Sequence, residues 1–389
     1  MKYINDLSSL VIKSWCDNPE EGAIEQAKHL ARLPFAFKQI CLMPDTHLGY
    51  GMPIGGVLAT RKVIIPNAVG SDIGCGMIAA KTNLVEIDTT TLKSIMSAVR
   101  KTVPVGFNRH KDKQDIGFMP SLLGRAEYLE IVENQLHNAV YQIGTLGGGN
   151  HFIEIQRGND GYIWIMVHSG SRNLGKQVAD YYNKLAVDLN AKYFSTVPKE
   201  WELAFLPIDS DSGQAYLSEM QYCVDFALAN RKLMLNRISD IFTLQTPGIV
   251  FEEPINIAHN YATLENHFGQ NVLVHRKGAT SAKIGELGII PGSQGTSSYI
   301  VKGKGNPESF ESCSHGAGRR MGRNEARRTL SLADEQNRLD SKGIIHAIRG
   351  VQDLDEASGA YKDIDIVMQE QSDLVDIVVK LEPLAVIKG

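Results

Sequence analysis

A carboxylate and a thiol stand three residues apart in one glycine-broken segment of the chain. Asp72 and Cys75 lie within residues 69–77, where three glycines let the backbone bend tightly and a ligand approach it. The spacing allows both side chains to converge on one cation, whose charge would keep the thiol ionised. The alternative is a structural cysteine beside a turn-forming aspartate, because free cysteine is often a small core residue.

Three histidines add to this pair, each next to an apolar stretch that predicts a strand. His151 precedes one such stretch, whereas His168 and His259 each follow one. A single histidine of this kind is usually structural, but three beside strand ends favour a site. With Asp72 and Cys75 they supply enough donors for two metal ions if the sulfur bridges, and one ion with fewer ligands stays open. Ligand softness alone favours Zn²⁺.

Several polar segments are suited to binding phosphate. They comprise two glycine-rich loops, two serines and two arginines: residues 147–149 and 316–318, Ser293, Ser298, Arg319 and Arg320. The sequence has neither the P-loop pattern nor the H-E-x-x-H pattern, so the usual nucleotide and protease signatures are absent.

Two further segments leave their roles open. Asp45 and His47 follow a predicted strand and are ligands, groups that orient ligands, or parts of a polar turn. Residues 106–113 form a basic loop with one aromatic residue, Phe107. Such a loop can grip a phosphodiester backbone, although a solvated loop is the favoured interpretation of its sequence alone.

The elements that must position these groups are strands and helices in alternation. Apolar stretches predict strands at residues 40–43, 63–69 (interrupted by Pro66), 77–80, 162–167, 255–258, 272–274 and 384–387. Helices are predicted at residues 20–33, 89–102 with Asp88 as N-cap, and about 122–141. Apolar positions at helical spacing predict a helical insertion at about 174–242. The last strand should be paired inside the fold, so Lys388 need not be a loose tail.

Composition excludes several classes of protein. No apolar run approaches the roughly 20 residues needed to span a membrane, and the first residues lack a signal-peptide pattern, so we expect a cytoplasmic protein without membrane association. The five cysteines form no C-x-x-C pair, which argues against a zinc ribbon or a disulfide framework. Net charge is −4, so nucleic-acid contacts would depend on local basic patches.

Candidate ligands come from both halves of the chain, and no flexible linker divides it. We therefore expect an α+β fold, with residues 1–389 forming a single large domain. Mixed and antiparallel sheets should surround a central metal pocket, with the helical insertion at about 174–242 added to them.

Ten short motifs occur in order along the chain. They are P-D-x-H-L-G at 44–49, D-I-G-C-G-M at 72–77, G-N-H-F-I-E at 149–154, H-S-G-S-R at 168–172, H-N-Y at 259–261, R-K-G-A at 276–279, P-G-S at 291–293, S-C-S-H-G-A-G-R at 312–319, A-Y-K-D-I-D at 360–365 and V-I-K-G at 386–389. With these motifs the chain resembles the RtcB family of RNA-splicing ligases from end to end.

This resemblance implies an RNA ligase that depends on GTP and two Mn²⁺ ions. Its partners would be RNA ends: a 2′,3′-cyclic phosphate or 3′-phosphate end is joined to a 5′-hydroxyl end, in RNA splicing or repair, and accessory proteins are compatible with the family. Cys75 would bridge the ions, Asp72 and His151 would complete one site, and His168 and His259 the other. The family's Mn²⁺ replaces the Zn²⁺ that softness favours.

The resemblance also implies how the nucleotide is held. His315 would be the nucleophile that carries GMP before its transfer to the RNA 3′ end; it lies between Ser314 and Gly316 and not at an apolar strand end. The residues expected around the guanylate are Asn150, His151, Phe152, Ile153, Glu154, His259, Asn260, Pro291, Gly292, Ser293, Gln294, Ser298, His315, Gly316, Ala317, Gly318 and Lys388.

Three positions depart from the family pattern, and two other functions stay open. Tyr50, Gln294 and Gly322 stand where Lys, Met and Ser are familiar, which affects the expected substrate preference but removes no metal ligand and no nucleophile. The alternatives are a dinuclear metallophosphoesterase that acts on RNA ends and a non-enzymatic RNA-binding protein.

Overall fold

Strands and helices are interleaved along the whole chain. A computed structural model describes residues 1–4, 9–122 and 128–389. The strands are β1 (Lys2–Ile4), β2 (Val11–Ser14), β3 (Ala36–His47), β4 (Ile54–Thr60), β5 (Val63–Ile64), β6 (Gly76–Lys81), β7 (Phe152–Gly158), β8 (Ile163–Ser169), β9 (Leu206–Pro207), β10 (Ile255–Ala258), β11 (Asn260–His267), β12 (Gln270–Lys277), β13 (Ala279–Ser281), β14 (Leu287–Ile290), β15 (Ser298–Gly303), β16 (Ser312–Ser314) and β17 (Val375–Lys388). The helices are α1 (Glu21–Ala31), α2 (Pro66–Val69), α3 (Thr89–Thr102), α4 (Glu130–Gln142), α5 (Arg172–Lys192), α6 (Asp211–Gln245), α7 (Arg323–Thr329), α8 (Leu332–Asp340) and α9 (Ile364–Glu370).

The larger sheet has seven strands in the order β10-β6-β8-β7-β17-β15-β14, and each pair of neighbours is antiparallel. Strand β17 lies between β7 and β15, and Lys388 is paired with Phe152. The prediction that the last strand is paired inside the fold is therefore confirmed, although the strand is longer than residues 384–387.

The second sheet has six strands in the order β1-β2-β3-β4-β12-β11. Only β2 and β3 are parallel among these pairs. A short ribbon of β13 and β16 starts where Ala279 pairs with Ser314. The ribbon matters for the site because His315 follows directly after β16.

Helices α5 and α6 cover most of the segment predicted as a helical insertion. Phe226 of α6 belongs to the same apolar cluster as Leu174 and Val178 of α5. Further along α6, Met234 packs in a cluster with Ile78 of the larger sheet. Helix α6 is thus hydrophobic on more than one face because it is packed between another helix and a sheet.

The predicted fold class is confirmed, and three local predictions are corrected. Residues 68–69 lie in the short helix α2, because Pro66 at its first position favours a helical turn. Helix α4 begins at Glu130 and not near residue 122. At its start the Ile131 N–H donates a hydrogen bond to the Glu219 carboxylate. Residues 123–127 lie outside the described part. Residues 44–47 continue β3 and do not form a turn.

None of the helices in the described part of the chain is both long enough and apolar enough to cross a lipid bilayer.

Candidate active site

One edge of the larger sheet brings four predicted metal donors together. Cys75 immediately precedes β6 and His151 precedes β7, whereas His168 is near the end of β8 and His259 follows β10. In antiparallel pairs the start of one strand lies beside the end of its neighbour. The pairing of β8 with β6 and with β7 follows this rule, since Met77 and Phe152 are both paired with His168.

The donor atoms form two groups that share the Cys75 sulfur. The sulfur lies 3.4 Å from His151 Nε2 and 3.3 Å from His168 Nε2. On one side Asp72 Oδ2 is 3.2 Å from His151 Nε2. On the other side the Nε2 atoms of His168 and His259 are 3.4 Å apart. Four donors therefore surround one sulfur, and the donor atoms of Cys75, His151 and His168 lie close enough together to hold a metal ion.

The protonation pattern of this cluster fits a metal site. His151 and His168 donate their Nδ1–H to the carbonyl oxygens of Leu146 (3.0 Å) and Asn150 (3.1 Å), so that each Nε2 presents a lone pair to the cluster. Burial lowers the pKa of His168 well below its usual value, and the imidazole stays neutral. Lone pairs that face one another at these distances repel unless a proton or a metal cation lies between them, and the donor atoms of Cys75, His151 and His168 are close enough together to hold a metal ion.

The Cys75 thiol also favours a bound cation in this cluster. Burial and then the nearby Asp72 carboxylate raise the pKa of Cys75 well above the ordinary value for a thiol. The side chain is almost fully buried, so water cannot stabilise a thiolate there. A bound divalent cation can supply the charge that ionises the sulfur.

A buried arginine from α6 fixes the strand ends that carry these donors. Arg231 donates to the carbonyl oxygens of Gly74 (2.9 Å), Ser169 (2.8 Å) and Ile257 (3.1 Å). These residues are next or next but one in sequence to Cys75, His168 and His259. One fully buried guanidinium thus holds three of the donor segments in place.

His315 lies beside the donor cluster but has a different partner. Its Nδ1 is 2.6 Å from Asp45 Oδ2, and the same carboxylate oxygen accepts the backbone N–H groups of His315 (3.1 Å) and Gly316 (3.2 Å). The ring centroids of His315 and His259 are 4.8 Å apart. In a neutral His315 ring, donation of Nδ1–H to Asp45 leaves the lone pair on Nε2, as a nucleophile requires.

Glycine is required where the His315 loop crosses Asp45. Gly318 has a φ of +74°, and a Cβ atom at this position would lie 2.2 Å from the Asp45 carbonyl oxygen. A side chain would push the loop away from the carboxylate that orients His315.

A cavity opens from His315 and His168 toward the end of β17. Glu154 and Lys388 line it from the neighbouring strands β7 and β17, together with Phe152, whose ring is 5.6 Å from the Lys388 ammonium group. Burial lowers the pKa of Lys388, while Glu154 and Glu356 favour its charged form. The cavity is thus lined by the His315 imidazole, the Glu154 carboxyl group and the Lys388 amine.

The chain is similar in sequence to known RtcB proteins. The family model described as tRNA-splicing ligase RtcB matches residues 26–123 and 112–389. An RNA-splicing ligase RtcB of Escherichia coli (strain K12) is 38% identical, with 97% of each chain covered. A tRNA-splicing ligase RtcB of Thermococcus kodakarensis is 32% identical, with 95% of this chain and 92% of the relative covered. An RNA-splicing ligase RtcB of Mycobacterium bovis is 32% identical, with 94% of this chain and all of the relative covered.

The chain belongs to the RtcB family.

Most residues that the RtcB resemblance implies for the nucleotide line one cavity. They are Asn150, Phe152, Glu154, Pro291, Gly292, Ser293, Gln294, His315, Gly316, Ala317, Gly318 and Lys388. His151 and His259 belong to the donor cluster instead. Ser298 lies behind the cavity wall, where its hydroxyl accepts a hydrogen bond from the Gly292 N–H (3.2 Å).

Two residues of that set face elsewhere. The Ile153 side chain is fully buried in the apolar cluster beneath the sheet. The Asn260 side chain donates to the Asp72 carbonyl oxygen (3.0 Å) and accepts from the Gly278 N–H (2.8 Å), so it supports the metal donors of this RtcB chain.

The cavity also contains residues that the sequence did not single out for it. Arg323, Glu356 and Tyr361 line it, and Arg323 donates to Glu356 (2.8 Å). Tyr361 could have been found because it lies in the A-Y-K-D-I-D motif of the RtcB resemblance. Of the two arginines after His315, Arg319 lines the cavity, whereas Arg320 donates to the Gly359 carbonyl oxygen and lies outside it.

Proposed function

We propose that this chain is a GTP- and Mn²⁺-dependent RNA ligase. It joins RNA ends that carry a 2′,3′-cyclic phosphate or a 3′-phosphate to ends that carry a 5′-hydroxyl. The reaction passes through a covalent histidine–GMP intermediate and an RNA 3′ end activated with GMP. The proposal treats residues 1–389 as one catalytic unit that acts in the cytoplasm.

The contact between His315 and Asp45 is the observation that carries this proposal. Hydrolysis by two metal ions needs no nucleophilic side chain, because a metal-bound water can attack. Here a histidine beside the donor cluster is held by a buried carboxylate through its Nδ1, and it lines the cavity that the expected nucleotide residues share. This arrangement supports group transfer through nitrogen.

Guanine is the base whose hydrogen-bonding groups complement Glu154 and Lys388 in the cavity. Its N1–H and N2–H groups can donate to the Glu154 carboxylate, and its O6 atom can accept from Lys388. Burial raises the pKa of Glu154 to about 8, and N–H donors from a base would favour its charged form. Adenine reverses this pattern, since it has an acceptor at N1 and a donor at N6.

A 2′,3′-cyclic phosphate end is first opened by water, which breaks its P–O2′ bond and gives the 3′-phosphate. Three further steps then conserve atoms. His315 Nε2 attacks the α-phosphorus of GTP, so that a P–N bond forms and pyrophosphate leaves. The RNA 3′-phosphate then attacks the same phosphorus, which releases the imidazole and leaves GMP on the RNA end. Finally the 5′-hydroxyl attacks the RNA phosphorus, its proton is lost, GMP departs, and a phosphodiester remains.

Residues of this chain position the reacting groups and stabilise the charges that form in these steps. Asp72, Cys75, His151, His168 and His259 would hold two Mn²⁺ ions, which would neutralise phosphate charge and polarise the attacked phosphorus. Asp45 holds the proton on His315 Nδ1 and stabilises the imidazolium that would form when Nε2 is phosphorylated. Arg319 also lines the cavity, where it is paired with Glu356 (3.2 Å).

Incubation with GTP, Mn²⁺ and two RNA ends tests the function. One RNA should carry a 2′,3′-cyclic phosphate and the other a 5′-hydroxyl, and we expect a joined product that is resolved by gel electrophoresis. Replacing GTP with ATP should greatly reduce joining. Loss of the terminal phosphate without joining would instead support the dinuclear metallophosphoesterase, which the same five donors could serve.

Replacing Asp45 with asparagine should slow formation of the GMP adduct by about 10²–10⁴-fold. The amide oxygen can still accept the three N–H groups that Asp45 binds, but the negative charge that stabilises the imidazolium is lost. The measurement is the rate at which label from α-labelled GTP becomes bound to the protein.

Asp88→Asn is the matched control for this variant. Asp88 caps α3, and asparagine caps helices equally well, so adduct formation should keep its wild-type rate. An unchanged rate in the Asp45 variant would contradict a role for its charge.

A further inference from the structure

Lys362 contacts both the segment that carries the proposed nucleophile and the segment that carries the carboxylate orienting it. Its Nζ donates to the carbonyl oxygens of Pro44 (3.1 Å) and Thr46 (2.6 Å), which flank Asp45 in β3. Its backbone N–H donates to the Gly318 carbonyl oxygen (2.9 Å) in the loop after β16. One residue therefore joins the strand of the carboxylate to the loop of the nucleophile.

The two carbonyl groups that the ammonium binds lie where the sheet is irregular. The pairing of β3 with β4 is interrupted between Leu42 and His47, and Pro44 and Thr46 are buried within this interval. A buried carbonyl oxygen without a partner costs free energy. The Lys362 ammonium supplies donors at a place where the strand ladder does not, so it fixes the backbone on both sides of the carboxylate.

The segment that contains Lys362 is itself fixed before and after this residue. Tyr361 forms an antiparallel bridge with Arg319, next to Gly318. On the other side the Asp363 side chain caps α9. Lys362 therefore starts from a defined backbone position, which its side chain relates to the end of β3.

None of the proposed chemical steps uses Lys362 directly. It is not among the described residues that line the nucleotide cavity. Its ammonium group faces the carbonyl oxygens of β3 and the Cys16 sulfur, which is 3.5 Å away. An effect of Lys362 on the reaction must therefore pass through the residues that it holds.

We propose that Lys362 is a positioning residue for the formation of the histidine–GMP intermediate. It sets the place of Asp45 relative to His315, whose Nδ1 lies 2.6 Å from the carboxylate. The inference rests on the proposed function, because it requires His315 to be the nucleophile. A misplacement of about 1 Å in a reacting group can cost about 10²-fold in rate, so a clamp on the orienting carboxylate has a measurable effect.

Lys362→Met tests the clamp, because it keeps an extended side chain and the backbone bond to Gly318 but removes the ammonium donors. At saturating GTP we expect the GMP adduct to form about 10- to 100-fold more slowly. The KM for GTP should stay unchanged, since Lys362 does not line the cavity. Lys362→Arg keeps donors for both carbonyl groups and should retain most of the rate. The measurement is adduct formation from α-labelled GTP at several GTP concentrations.

A double variant separates positioning from a general effect on the fold. Asp45→Ala removes the carboxylate that Lys362 holds in place. In this background Lys362→Met should slow adduct formation little further, because two residues that act through one contact are not additive. Fully additive losses would overturn the proposal, as would an equal rate in the Lys362→Met and wild-type proteins.

Lys304→Met is the matched control. The Lys304 ammonium also donates to a main-chain carbonyl oxygen, that of Ser372 (2.7 Å), but it is not among the described residues that line the cavity. This variant should keep the wild-type rate.

Crystal structures of the wild-type and Lys362→Met chains test the positioning without the reaction. The hydrogen bond between Asp45 and His315 should be lengthened or lost in the variant, and an unchanged contact would overturn the proposal. Absence of a GMP adduct on the wild-type protein would instead count against the proposed function, and the two structures would still decide the role of Lys362.

Discussion

Replacing His315 with alanine should leave a protein that binds metal and GTP but forms no covalent GMP adduct and no joined RNA. The His315 ring provides the one nitrogen that Asp45 orients toward the nucleotide cavity. Removing the nucleophile of a covalent enzyme can cost a factor on the order of 10⁶ in rate. Radiolabel from α-labelled GTP, measured on the denatured protein, should therefore fall to background.

His137→Ala is the control for this experiment. His137 is an exposed histidine of α4, away from the donor cluster, and its loss should not change labelling. Wild-type labelling of the His315 variant would show that another residue carries GMP. Lys388 would be the first to test, because its amine lines the same cavity.

Replacing Cys75 with serine should lower the bound metal and abolish joining. The Cys75 sulfur touches both groups of donors, and a serine hydroxyl at this buried position cannot be ionised as readily as a thiol. Changing groups that merely orient metal ligands costs about 10- to 100-fold in affinity, so losing the shared donor should cost more. Elemental analysis of the purified variant gives the metal content.

Cys41→Ser separates this effect from the general cost of changing a buried cysteine. Cys41 is fully buried in β3, and its thiol is 3.3 Å from the Glu308 carbonyl oxygen, which a serine hydroxyl can also use. This control should keep the wild-type metal content. Full metal content and full activity in the Cys75 variant would mean that Cys75 is a structural residue of the core.

The donor cluster is predictable from the sequence because each donor stands beside a recognisable apolar stretch. His168 and His259 follow such stretches, and strands that pair with their neighbours bring their ends to one edge. Helix α3 is equally predictable from the sequence, since Asp88 caps it by accepting hydrogen bonds from the N–H groups of Thr90 and Thr91.

Contacts between distant segments are not predictable in this way. Asp45 and His315 are 270 residues apart, and no local pattern pairs a carboxylate with one histidine among several. Arg231 lies in a helix whose apolar spacing predicts core packing, and the three carbonyl groups that it binds come from three separate segments of the chain. The start of α4 likewise depends on Glu219, which belongs to another helix.

The central place of β17 in the larger sheet has a consequence for synthesis of the chain on the ribosome. Strands β7 and β8 can pair as soon as they emerge, as can β14 and β15. Strand β17, which joins these two hairpins, begins 217 residues after β7 ends. At 5–20 residues per second the free edge of β7 waits about 10–40 s for its partner. An unpaired apolar edge exposed for that long is a site of aggregation, so the nascent chain should depend on chaperones over this interval.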